Sequence, residues 1–243
     1  MTNFDADSLF LYFGDDYVIN DKITLKQPKI GDIVDYGETN YFSMIYTMTA
    51  IPSDCKAMLW DQMKVYWTEV EDFDLFAMFT QTMTPDKTYI IFGDLDFSKL
   101  KPFRSKINDE VVLADPESGI KIDKLIYMRM MSFLRKLHNI TPKPEKAKGK
   151  RARDAMIDED RRNREFNKSK EFKSYLLPLI SAVKVKQGYT KEYVRNMGLF
   201  EFYDDLSRIQ AIDNASHLLN GAYCGMADLS KIDKNQFNWL REL

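Results

Sequence analysis

Residues 141–151 read TPKPEKAKGKR, a stretch that cannot fill a core. Two prolines withhold backbone donors, the glycine adds chain entropy and the lysines resist burial, so ordering it returns no apolar contact. It divides the 243 residues into parts that must find their hydrophobic contacts elsewhere. The expected organisation is an N-terminal α+β domain over 1–140, a charged linker or exposed helix over 141–170, and a C-terminal helical domain over 171–243. The fold class expected is mainly α with a small β element.

In the first part, Leu9–Phe13 and Tyr17–Ile19 flank Gly14-Asp15-Asp16, a pattern that predicts two short strands around a turn. From Ile30 the apolar period lengthens to that of a helix. Ile33, Val34, Tyr41, Phe42, Ile45 and Met48 continue it to Pro52, with Gly37 weakening its first half. Ser53-Asp54 is expected to cap a second helix and Glu71-Asp72 to open a third. Between Tyr89 and Ile122 the pattern predicts short strands at Tyr89–Phe92, Glu110–Ala114 and Ile120–Ile122, which can join the N-terminal hairpin in one small sheet. Asp123 then caps a helix whose apolar face includes Leu125, Ile126, Met130, Phe133, Leu134 and Leu137.

In the last part, Pro178 predicts a helix start or kink, Gly188 a stop and Thr190 a fresh cap. Leu199, Phe202, Leu206 and Ile209 then recur at helical spacing. After a slip, Ile212, Leu218 and Leu219 follow, and the helix is expected to end near Gly221 or Gly225. A short last helix around Gln236–Leu240 carries Trp239.

Chemistry is sparse by comparison. Asp94 and Asp96 can both offer carboxylates to Mg2+, yet turn residues beside Gly93 need Asp for backbone reasons alone. Of the two histidines, His138 closes a helix, where a positive charge suits the dipole, and His217 lies among Asn and Ser. No Gly-rich phosphate loop, nucleophile elbow or zinc-protease motif is present. The expectation is a protein that is not an enzyme and uses no cofactor or metal.

The 35 Lys and Arg against 37 Asp and Glu leave no global field to draw in nucleic acid or an anionic membrane. Locally, residues 143–170 hold eleven Lys or Arg against six Asp or Glu. The interleaved acids would repel phosphates, so nucleic acid is not expected as a partner. No apolar run approaches the roughly 18 residues of a membrane span, and the acidic opening is unlike a secretory leader. Cys55 and Cys224 show no metal spacing and suit a reducing compartment. Thirteen methionines, flexible and polarizable, suit either core filling or an adaptable binding surface.

Four segments carry a likeness. Pro28–Phe42 (PKIGDIVDYGETNYF), Lys173–Val183 (KSYLLPLISAV), Phe202–Gln210 (FYDDLSRIQ) and the closing Gly221-x-Tyr223-x-Gly225 with Trp239 resemble tail assembly chaperones of tailed phages infecting Gram-positive bacteria. The resemblance implies a non-catalytic protein of the host cytoplasm. It would bind the tape measure protein and help tail tube subunits assemble, with a homo-oligomer open. It also implies Phe202, Leu206, Ile209 and Trp239 as partner-contact candidates, residues that core packing would equally claim. A structural virion protein, such as a tail or baseplate subunit, suits the same composition.

Overall fold

The computed structural model describes residues 8–104, 110–226, 228, 230 and 232–241. It is mainly helical, with two small antiparallel sheets. The chain opens with helix α1 (Ser8–Tyr12) and a hairpin of β1 (Tyr17–Asn20) and β2 (Ile23–Leu25). In the hairpin turn, Asn20 Oδ1 accepts from the amides of Lys22 and Ile23, both at 2.9 Å, which explains an asparagine there. Leu9–Phe13 was expected as a strand, and residues 8–12 form α1 instead. That short helix turns Leu11 into the core while it packs on the last long helix, and this packing outweighs the β-propensity of its aromatics.

Helices α2 (Ile30–Tyr36) and α3 (Glu38–Thr49) occupy the helical stretch predicted from Ile30. They are separate because Gly37 takes φ 97°, a conformation that ends one helix and redirects the next. Ser53 and Asp54 lie in a 3-10 turn, Pro52–Cys55, and α4 (Lys56–Met63) begins after it. Asp54 accepts from the Ile51 amide at 3.0 Å, so it caps the turn and not the helix. α5 (Asp72–Thr80) follows as expected, then α6 (Pro85–Phe92).

α6 corrects the strand expected at Tyr89–Phe92. Pro85 is pre-set for the first helical turn, and Gly93 at φ 58° stops the helix with its amide on the Tyr89 carbonyl. The second sheet contains β3 (Lys101–Arg104), β4 (Val111–Asp115) and β5 (Ile120–Ile122), with β4 central. It does not merge with the hairpin. Asp123 caps α7 (Lys124–Leu137), accepting from the Ile126 amide at 2.9 Å. Leu125, counted on the apolar face, is exposed, while Met130, Phe133, Leu134 and Leu137 are fully buried.

The charged stretch contains α8 (Lys150–Lys168). Its one buried residue, Ile157, joins Leu59, Trp67 and Leu75 in a small second core. Polar contacts hold the rest. Asp160 accepts from the Ala57 amide at 2.8 Å and so serves the opening turn of α4, Arg153 lies 3.9 Å over the Tyr66 ring, and Arg161 pairs with Asp61. Ahead of α8, Glu145 is held by Ser53, Trp67 and Lys56 through its amide, carbonyl and carboxylate. Three of the cations that composition offered to phosphates, Arg153, Arg161 and Arg164, face carboxylates of this same chain.

The final helices are α9 (Leu176–Gln187), α10 (Lys191–Asn196) and α11 (Leu199–Tyr223). Gly188 ends α9 in the left-handed region, and Thr190 Oγ1 caps α10 by accepting from the Tyr193 amide at 3.1 Å. The last helix expected around Gln236–Leu240 does not form; a 3-10 turn, Lys234–Gln236, ends where that stretch begins, and Trp239 sits in the turns after it. Leu176, Val183, Leu199 and Phe202 share one hydrophobic core with Leu11, Ile33, Tyr41 and Phe133. An antiparallel bridge couples residues 28–30 to 197–199: the Ile30 amide donates to Met197 at 3.0 Å and the Leu199 amide to Pro28 at 3.1 Å.

Candidate partner-binding surface

The start of α3 meets the approach to α9 through one side chain. Glu38 accepts from Ser174 Oγ at 2.7 Å, from the Tyr175 amide at 2.5 Å and from the Leu176 amide at 2.8 Å. The first amides of a helix have no partners within it, and a carboxylate there also suits the helix dipole. Glu38 is thus a cap supplied from 138 residues away in sequence. It pins residues 174–176 against α3, with Phe172 just ahead of them.

Between that segment, α3, the end of α7 and the first turns of α11 lies a groove of about 430 Å³. Its lining is aromatic and aliphatic, with Phe42, Ile45, Ile140, Phe172, Tyr175 and Tyr203 prominent. Phe42 and Tyr175 pack edge to face at 5.5 Å. Burial and the neighbouring Tyr175 push the Tyr203 hydroxyl well above the usual phenol range, which keeps it neutral. Phe172 is 66% exposed and Tyr175 54% exposed, so one lip of the groove presents large rings to solvent.

His138 closes the inner end of the groove. Its Nδ1 faces the Leu134 carbonyl at 2.7 Å, and a carbonyl only accepts, so Nδ1 carries the proton. Nε2 is then free to accept from the buried Tyr41 hydroxyl at 2.6 Å. Burial lowers the imidazole pKa to about 4. His138 does end a helix as expected, but it is neutral near pH 7, so the expected charge–dipole contact is absent. Neither group is poised for proton transfer to a substrate: both are satisfied by each other.

The residues picked out from the sequence are placed differently. Phe202 is fully buried and is core, which corrects its reading as a contact residue. Leu206 and Ile209 are partly buried and pack on that core along the same inward stripe. Trp239 is 45% exposed and is held through its carbonyl, which accepts from Arg208 Nη1 at 2.5 Å. Asp96 caps its own 3-10 turn by accepting from the Ser98 amide and hydroxyl. Among the described residues no three of His, Cys, Asp and Glu are gathered as a metal site. Met44, Met48, Met130, Met131 and Met197 fill the core, so methionine is mainly packing here.

The groove residues had no joint signal in the sequence. Phe42 reads as one more member of a core stripe, Phe172 follows a charged run, and Tyr203 sits beside the stronger Phe202. Only folding brings them within one cavity.

No helix among the described residues is long and apolar enough to cross a membrane. No curated protein and no solved structure matches the chain. Residues 167–243 match the family model described as the YomV second domain, YomV being a Bacillus phage protein. That segment supplies Phe172, Tyr175 and Tyr203 to the groove, and the facing wall lies outside it. The C-terminal end of the chain is therefore similar to a domain of a phage protein.

Proposed function

We propose that this protein is a non-catalytic assembly factor of a phage tail, acting in the infected cell by binding an apolar helical segment of another tail protein, the tape measure protein foremost. The observation that carries the reading is the aromatic groove with its exposed lip, Phe172 and Tyr175, built partly from the phage-related segment. An amphipathic helix docks by setting side chains spaced three and four residues apart into such a groove. Rigid rings at the lip offer large contact area at low entropic cost. The candidate acid and base groups support the non-catalytic part, because His138, Tyr41 and Asp96 are each engaged in internal hydrogen bonds.

The test is co-expression with the tape measure and tail tube proteins of the same phage. The tape measure protein is expected in the soluble fraction with the wild-type chain and in the pellet when Phe172→Asp and Tyr175→Asp are combined. A client equally insoluble with and without the chain refutes the proposal. Mass spectrometry of purified particles covers the structural alternative: a stoichiometric subunit in the virion would replace the assembly-factor reading.

A further inference from the structure

The first turn of α9 is held from outside its own helix. The Tyr175 and Leu176 amides both donate to Glu38 Oε1, at 2.5 and 2.8 Å, and Ser174 Oγ donates to Oε2 at 2.7 Å. Ser174 Oγ in turn accepts from the Leu177 amide at 3.0 Å, so three successive amides end on one carboxylate, the last of them through a hydroxyl relay. Helices α7 and α10 are capped from nearby in sequence, by Asp123 and Thr190. Tyr175, at the cap position of α9, supplies no side-chain bond of its own. Glu38 is a firm base for the contact: it opens α3 directly after the turn at Gly37, and Tyr41 one turn on is fully buried.

The stretch that leads into this contact has little else to fix it. Glu171, Phe172 and Lys173 are exposed and make no hydrogen bond among the described residues, while Ser169 and Lys170 are tied back to α8 through Phe166 and Asn167. The groove lip is therefore suspended between the end of α8 and Glu38. Segments with few buried contacts and unprotected amides open at low free energy, ahead of the rest of a fold. Leu176 is buried in the main core and keeps α9 itself in place, so such opening stays local to the strap. Freed at the Glu38 end, residues 171–175 can carry both rings several ångströms from Phe42, since each residue spans up to about 3.5 Å.

Taking the groove as the partner-binding site proposed above, we propose that Glu38 is its positioning residue: the carboxylate latches residues 171–175 as a wall, and the groove accepts an apolar segment only while the latch is made. Apparent affinity then falls by the same factor as the latched fraction. The coupling is reciprocal, so an occupant held by the lip disfavours opening of the latch by that factor. The oxygen, and not the charge, seats the strap. Glutamine keeps Oε1 for the two amides, and its amide group can donate to Ser174 Oγ; alanine removes every contact.

Hydrogen exchange of the full chain reads the latch without any partner. Glu38→Ala is expected to speed exchange of the Tyr175, Leu176 and Leu177 amides at least about tenfold and to leave the α7 amides unchanged, with Glu38→Gln within about twofold of wild type. Trypsin is expected to cut after Lys173 faster in the alanine variant alone. Fluorescence of the neutral apolar dye N-phenyl-1-naphthylamine reads the groove, and its loss in the combined Phe172→Asp and Tyr175→Asp variant locates the dye there. Glu38→Ala is expected to weaken dye binding at least about fivefold, and Glu38→Gln to leave it near wild type. Exchange at 175–177 unchanged by alanine, a rise shared equally by α7, a glutamine variant that behaves as alanine, or dye affinity indifferent to faster exchange overturns the proposal while leaving the groove reading standing. A wild type that exchanges as expected but binds no dye refutes the groove reading, and the positioning role with it.

Discussion

The Tyr41–His138 pair makes stability depend on pH with a sign that can be worked out in advance. An unfolded histidine titrates near 6.5, and burial lowers His138 to about 4 in the fold. Below pH 6.5 the unfolded chain gains a proton that the folded chain refuses, so this group's contribution is intact above 6.5 and declines as pH falls toward 4. Below 4 both states are protonated and the loss levels off. The separation of about 2.5 units corresponds to roughly 3 kcal/mol across that window.

The assay is urea unfolding at half-unit steps from pH 7.5 to 4.5, with His138→Asn as the non-titrating reference. Burial raises the carboxyls of Asp72 and Asp205, which acts in the opposite direction, and the comparison cancels such shared effects. The wild type is expected to lose about 2 kcal/mol more than the variant between pH 7 and 5, from 1.36 kcal/mol per unit through the window. Parallel stability curves would refute the reasoning. Tyr41→Phe offers a second check. It leaves Nε2 buried without a donor and should cost about 1–3 kcal/mol at pH 7.5.

Gly31→Ala should destabilise by about 1–3 kcal/mol in chemical denaturation, because an added Cβ would lie 2.8 Å from the backbone oxygen of Arg195 and force α2 and α10 apart. Ile157→Ala removes the one buried side chain of α8 and should cost about 2–5 kcal/mol, with faster amide exchange along α8 than elsewhere. Cys55 is buried, and that burial pushes its thiol up to about 11, so at pH 8 a thiol reagent should label exposed Cys224 quickly and Cys55 only on unfolding. Two equally fast thiols would contradict that burial.

Local signals were legible where one residue dictates local backbone. Asp123 and Thr190 cap helices as their types suggest, and Gly188 ends α9. Where tertiary contact decides, local pattern failed. Tyr89–Phe92 carries strand-like residues, yet Pro85 and Gly93 bracket it as a helix that buries three consecutive apolar side chains. Leu9–Phe13 likewise follows its packing partner rather than its propensity. Glu38 is the clearest case of an invisible role: nothing near it in sequence marks a cap for a helix that starts at Leu176. The periodic slip after Ile209 was legible as a slip, but not as the point where α11 passes from core to surface. Periodicity reports which side chains share a face, and is silent on which face is covered.

The bridge between residues 28–30 and 197–199 bears on how the phage-related segment can be inherited. Its opening residue of α11, Leu199, donates its amide to Pro28, and the amide of Ile30 donates to Met197. A recombination event that moved residues 167–243 into a new gene would leave those backbone groups without their mates and strip cover from Leu199 and Phe202. The portable unit is thus discontinuous: it travels intact only with a strand-like stub from near the beginning of its donor, or with a host that already provides one.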